Sequence, residues 1–135
     1  MVELYRKALE YGEHDPDTPL AVHSHGYVFR DERAARAEFL PAYRRTFAKI
    51  GRERGWAPMG DAAVEELIAP DGALFFGNPE TVADKIIRLH QLMRIERFEM
   101  HIAHVDHALT MRSIELFGAE VAPLVRHELG ARSAV

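Results

Sequence analysis

The chain has 135 residues, 47% of them apolar and 28% charged, which is typical of one folded domain with a real core. A formal charge of −4 with no basic stripe argues against a nucleic-acid partner, and no apolar run approaches the roughly 18 residues that would cross a membrane. The absence of cysteine excludes disulfides, thiolate metal sites and cysteine nucleophiles. We therefore expect a single domain over residues 1–135, located in the cytoplasm.

The first half of the sequence predicts a helix, a strand and a long helix. Residues 2–12 follow a helical apolar period, and the loop after them is rich in proline and aspartate. Residues 20–28 (LAVHSHGYV) alternate between two faces, neither of them simply apolar, so we expect a strand that is covered on both sides. Asp31 is the expected N-cap of a helix over 32–54, which Pro41 should kink or divide.

The second half contains a sharply marked helix start. A short helix is predicted over 61–68 with Asp61 as its cap, and a brief extended piece follows it. Asn78 is then the expected N-cap, and Pro79 the first residue, of a helix over 79–92. The predicted buried stripe of this helix consists of Val82, Ile86, Ile87, Leu89 and Leu92.

The C-terminal part predicts one more strand and one more helix. Residues 97–103 alternate between apolar and polar side chains, which indicates a strand. A helical stretch covers about 108–129, and Gly118 and Pro123 should bend or split it. Because helices separate the strands, we expect an α/β fold with parallel strands and helical crossovers.

Three runs in this order resemble a known family. They are FFGNPETVADKIIRL (75–89), RIERFEMHIAH (94–104) and SIELFGAEVAPLVRHEL (113–129). Together they resemble the C-terminal end of the bacterial-luciferase-like flavin-dependent monooxygenases, which commonly have a GxPExVAxKI helix start, a final barrel strand and a closing helix with an EVxPxLR-like run. That last run corresponds here to EVAPLVR (120–126), and residues 21–56 resemble a late barrel strand with its long helix.

The resemblance implies a partial (β/α)8 TIM barrel, with this chain holding the last two or three βα units. A whole barrel takes about 250 residues, so the strands that carry most contacts to the flavin phosphate would lie outside this sequence. The implied activity is that of an oxidoreductase using reduced FMN, or a deazaflavin, with O2 and a small organic substrate. Because so few parallel strands cannot close, we expect a homodimer or higher oligomer, and weak or no flavin binding by this chain alone.

The resemblance also implies where the site residues lie, because active-site groups of a barrel occupy the C-terminal ends of its strands. The expected catalytic residues are His25 and His101, each able to hydrogen-bond a reacting oxygen or to act as a general base. The alternative is that each histidine is an ordinary polar residue between strand and helix. The expected cofactor contacts are His23, Tyr27, Glu99 and His104.

Two other interpretations remain open. In HIAHVDH, His101, His104 and His107 follow one another at steps of three, and His23 and His25 share a strand face, so either set suggests a small histidine-rich metal module. The alternation of this segment favours a strand, which sends His101 and His104 to opposite sides, and we predict no metal. The other interpretation is a non-catalytic half-barrel that self-associates.

Overall fold

The computed structural model describes residues 2–102 and 105–133 and confirms the α/β class, with three parallel strands flanked by helices. The elements are α1 (Val2–Tyr11), β1 (Ala21–Val28), α2 (Glu32–Arg54), α3 (Asp61–Ile68), β2 (Phe75–Gly77), α4 (Pro79–Met93), β3 (Arg97–His101), α5 (His107–Leu116), a π-helical segment (Phe117–Val121) and α6 (Ala122–Ser133). None of the described helices combines the length and the apolar character that a membrane crossing requires.

Two predicted caps lie at the starts of α2 and α4. The Asp31 side chain accepts a hydrogen bond from the backbone N–H of Ala34 at the start of α2. The Asn78 side chain does the same for the N–H of Thr81 at the start of α4, with Pro79 as the first helical residue. Each cap satisfies one of the N–H groups that a helix start leaves without a partner, and both predictions are confirmed.

Three other helix predictions are wrong in detail. Gly60 occupies the cap position of α3, whereas Asp61 is the first helical residue and pairs with Arg44 at 2.5 Å. Helix α2 is not divided at Pro41, since it runs as one helix from Glu32 to Arg54 with buried residues on both sides of that position. Leu92 is 68% exposed, because the buried stripe of α4 ends one turn earlier.

The last helical stretch is interrupted where Gly118 and Pro123 predicted a bend. The N–H of Ala122 bonds to the carbonyl of Phe117, five residues earlier, and this bond closes the π-helical segment. A proline at 123 has no N–H, and in a regular α-helix its ring would crowd the carbonyl of Ala119. Widening the helix by one residue before the proline relieves this conflict.

The sheet has the order β2-β1-β3, and β1 changes its partner halfway along its length. Residues 21–25 of β1 pair with β3, whereas residues 26–28 pair with β2. Gly26 lies at the change. A Cβ there would come within 2.6 Å of the Met100 Cγ and 2.9 Å of the Phe75 carbonyl oxygen, so only glycine allows both neighbours to approach so closely.

Two apolar clusters cover the carboxyl half of the sheet, one on each face. Tyr27 and Phe76 face α2 and α3, whereas Val28 and Phe75 face α4 and the π-helical segment. The connection from β2 to β3 runs back across β1, and right-handed crossovers in opposite directions place helices on opposite faces. Consecutive units of a closed barrel keep chain order and hold their helices on the outside, so a partial barrel remains a proposal.

Candidate functional site

The two predicted catalytic residues lie side by side. His25 of β1 and His101 of β3 occupy paired positions in the sheet, and their ring centroids are 5.0 Å apart. His23 lies on the same face, two residues before His25, and its ring centroid is 5.6 Å from that of His101. We call these three residues the histidine cluster.

Helix α2 covers one side of the histidine cluster. The His25 ring packs edge-on against Phe47, with ring centroids 5.3 Å apart, and lies 6.0 Å from the ring of Tyr43. His23, His101 and the predicted cofactor contact Glu99 are all exposed. The predicted contact His104 lies outside the described residues. The cluster therefore joins one half-buried imidazole to a solvent-facing polar sheet surface.

The described part of the histidine cluster does not by itself fit an isoalloxazine ring. Such a ring needs walls on both sides and protection from water, and among the described residues only Tyr43 and Phe47 form a wall. A cavity of about 580 Å³ lies instead at the carboxyl end of β2, where its lining includes Asn78 and Lys85 but no histidine.

The described residues give no support to a metal site. Within 2–102 and 105–133, no group of three or more histidine, aspartate or glutamate side chains is arranged to hold a metal ion. His107 is the first residue of α5, and Asp106 is occupied as its N-cap, accepting a hydrogen bond from the Leu109 N–H at 3.0 Å.

Tyr27 shares the face of the histidines but lies in a different environment. Its side chain is 3% exposed, and its ring stacks on Phe39 with centroids 4.8 Å apart. Tyr27 lines a cavity of about 260 Å³ at the carboxyl end of β1. Burial and the Glu38 carboxylate raise the pKa of Tyr27, and Arg112 partly opposes this shift. The phenol is therefore neutral at physiological pH.

Sequence reasoning missed a buried lysine next to this sheet. Lys85 of α4 is 8% exposed, and its Nζ lies 5.2 Å from the centroid of the Phe75 ring. Its ammonium donates toward the backbone carbonyls of Leu67, Ile68, Ala69 and Leu74 at 2.7–3.4 Å. The signal was available, because Lys85 is three residues after Val82 and adjoins Ile86 in the apolar stripe.

A comparison of the chain with protein-family models gives no match, and no curated protein matches it either. The function must therefore be inferred from the side chains that the structure brings together. Paired imidazoles on adjacent strands can hydrogen-bond a reacting group or transfer a proton to it, and the Lys85 amine, directed at carbonyl oxygens, supports the end of α3.

Proposed function

We propose that the chain is the C-terminal portion of a luciferase-like flavin-dependent monooxygenase, an oxidoreductase built on a TIM barrel, with His25 and His101 as its catalytic pair. The observation that carries this proposal is the placement of the two imidazoles at paired positions of neighbouring parallel strands, 5.0 Å apart. There they can hydrogen-bond a reacting group or accept its proton. Reduced FMN or a deazaflavin, O2 and a small organic substrate are the proposed co-reactants, in the cytoplasm.

The single-walled surroundings of the pair are the reason to propose an incomplete site. Strands β1 and β3 are parallel neighbours, as adjacent strands of a barrel are, although β2 separates them in the chain. In such a barrel, the face of His25 and Tyr27 would look inward. Here α2 packs over the carboxyl half of that face and keeps water from its aromatic residues. We infer that further strands, outside this sequence or from another copy, would supply the missing wall.

The isolated chain is expected to bind FMN with a dissociation constant weaker than micromolar, because the cluster offers one wall and two of its three imidazoles are exposed. Quenching of FMN fluorescence on titration with protein measures this affinity. An anaerobic titration with reduced FMN uses the form that the proposal requires. The double variant H25Q/H101Q should weaken even this residual binding severalfold, since it removes both imidazole contacts to the isoalloxazine ring.

The matched control for the flavin titration is His14→Gln, which removes an exposed imidazole that is not part of the cluster, in the loop after α1. Its FMN affinity should equal that of the unmodified chain. A micromolar or tighter affinity would overturn the inference that the site is incomplete. Residual binding that the double variant leaves unchanged would overturn the assignment of His25 and His101 to the flavin site.

The open edge of β1 favours a second function, self-association of a non-catalytic half-barrel. Residues 21–25 pair with β3 on one side, and on the other side no described strand pairs with them. A cavity of about 330 Å³ adjoins this edge, and its lining includes Val22, Ser24, Leu89 and the exposed Leu92. An unpaired strand edge beside apolar side chains is the kind of surface that a second copy covers.

We expect the chain to elute as a dimer or larger species in size exclusion coupled to light scattering, without flavin absorbance. Leu92→Lys should shift this species toward the monomer, because it places a charge beside the open strand edge. Met111→Lys is the control, since it adds the same charge at an exposed apolar position of α5. A monomeric unmodified chain at all concentrations, or equal effects of both variants, would contradict association through this edge.

A further inference from the structure

A cavity lies at the carboxyl end of β1, where the strand order reverses. We call it the Tyr27 crevice, and its lining includes Tyr27, Ala34, Glu38, Leu109 and Arg112. Strands β2 and β3 flank β1 on opposite sides, and their connections cover opposite faces of the sheet. Chain segments therefore diverge at this end of β1. Open α/β sheets bind their ligands in the gap that such divergence leaves.

The floor of the crevice carries the hydroxyl of a largely buried tyrosine. Tyr27 is 3% exposed, and within the described part of the chain no group forms a hydrogen bond with its phenol oxygen. The charges that act on this hydroxyl are those of Glu38, Arg112 and Asp106, and the first two line the crevice. Among the described residues, Arg44 Nε is the only buried side-chain polar atom that lacks a partner, so the Tyr27 oxygen is not sealed in the core. Since Tyr27 lines the crevice, a ligand there is able to hydrogen-bond its hydroxyl.

Two uncommitted charges of opposite sign flank the hydroxyl. Neither Glu38 nor Arg112 forms an ion pair with another residue in the described ranges, and both are exposed. The other charged residues of the crevice are occupied, because Arg30 pairs with Glu120 and Asp31 caps α2. The crevice thus presents one free carboxylate, one free guanidinium and one phenol that is able to donate or accept.

We propose that the Tyr27 crevice binds a small zwitterion of the free amino-acid class. Its ammonium would donate to the Glu38 carboxylate and the Tyr27 oxygen, and its carboxylate would accept from the Arg112 guanidinium. Its side chain would pack on the apolar wall of Leu109 and Leu116. A volume of about 260 Å³ suits such a molecule, since it lies just below the roughly 300 Å³ at which pockets for drug-sized ligands begin.

A zwitterion fits better than a simple anion or a simple amine. An anion would leave Glu38 without a partner and place a like charge near it, and an amine would do the same to Arg112. Neither would satisfy both charges and the hydroxyl together. The site uses no residue of the histidine cluster and shares only Tyr27 with the expected flavin contacts. Amino-acid binding in the crevice is therefore tested separately from the proposed monooxygenase.

Binding is tested by following backbone amide shifts of the unmodified chain in ¹H–¹⁵N spectra during titration with leucine, methionine and alanine. We expect leucine or methionine to shift the amides at the end of β1 and in the first turns of α2 and α5. Isocaproate and isoamylamine, which are leucine without its ammonium and without its carboxylate, should each bind at least tenfold more weakly. Tyr27→Phe and Arg112→Gln should each weaken leucine binding about tenfold, as loss of one hydrogen bond in such a site does.

Tyr27→Phe conserves the shape of the side chain, and Arg112→Gln removes the charge but keeps a polar group. Arg33→Gln on the exposed side of α2 is the control that should leave binding unchanged. Three outcomes would overturn the proposal. The first is that none of the three amino acids shifts the crevice amides up to its solubility. The second is that isocaproate or isoamylamine binds as tightly as leucine. The third is that leucine binds Y27F as tightly as the unmodified chain.

Discussion

Replacing Lys85 with methionine is expected to lower the free energy of unfolding by about 3 kcal/mol. Methionine fills a similar volume but donates no hydrogen bond. The carbonyls of Leu67, Ala69 and Leu74, which now accept from the Lys85 ammonium, would lose a buried partner. The last turn of α3 would also lose a cation close to the negative end of its dipole. Urea denaturation of both proteins at pH 7 measures the difference.

Lys49→Met provides the comparison, because Lys49 is an exposed lysine of α2 with the same side chain. Its unfolding free energy should stay within about 0.5 kcal/mol of the unmodified chain. If Lys85→Met were as stable as Lys49→Met, the ammonium would not support the end of α3, and the account given for its burial would be wrong.

The difference in unfolding free energy between the unmodified chain and Lys85→Met should depend on pH. Burial lowers the pKa of Lys85 from its ordinary 10.5 to about 8, and the Asp71 charge partly opposes the shift. Between about pH 8 and 10.5, the unfolded chain keeps a proton that the folded chain has released. Unfolding free energy therefore rises with pH in this window for the lysine protein relative to Lys85→Met. Below pH 8 the difference between the two proteins should be constant.

Gly72→Ala is expected to cost about 3 kcal/mol, because the new methyl group would meet backbone rather than a movable side chain. A Cβ at this position would lie 2.6 Å from the carbonyl carbon of Leu67 and even closer to the carbonyl oxygens of Glu66 and Leu67. The Leu67 oxygen already accepts the Leu74 N–H at 2.9 Å, so the turn cannot shift without breaking that bond. Thermal unfolding followed by circular dichroism measures the loss.

Gly118→Ala is the matched control for this experiment, since no atom outside the local backbone lies within 4 Å of a Cβ at that position. Its melting temperature should be unchanged or slightly higher, because alanine has less backbone entropy to lose in a helix. If the Gly72→Ala and Gly118→Ala proteins had the same melting temperature, the loop before β2 would be able to rearrange around the new methyl group at no cost.

The sequence predicts the elements of this fold well where local chemistry decides them. The Asn78–Pro79 start of α4 depends on the hydrogen-bonding group of one side chain and the fixed φ of the next residue, and both act within one turn. The alternation of β1 likewise places His23, His25 and Tyr27 on one face, and the structure confirms this. Local rules of this kind need no knowledge of distant contacts.

Sheet order and site geometry depend on contacts that are distant in the chain. The proximity of His25 to His101 follows from the register between β1 and β3, which packing of the whole sheet determines. The crevice depends on a helix that follows β1 and another that follows β3, which bring Glu38 and Arg112 to the same strand end. No periodicity within either helix indicates this meeting. Leu92 is the reverse case, because the helical period predicts that it is buried whereas the fold leaves it exposed.

Because β1 changes its partner at Gly26, the backbone hydrogen bonds of its two halves are expected to open at different rates. Its first five residues pair with β3 and are partly open to water, whereas Gly26, Tyr27 and Val28 are buried between the two apolar clusters. Local opening therefore begins at the amino end of the strand and stops near Gly26, where it would have to disrupt both clusters at once. The histidine cluster lies on the half that opens readily, and the crevice lies at the half that opens rarely. A strand that pairs with the open edge would slow the opening around the histidine cluster and leave the opening around the crevice unchanged.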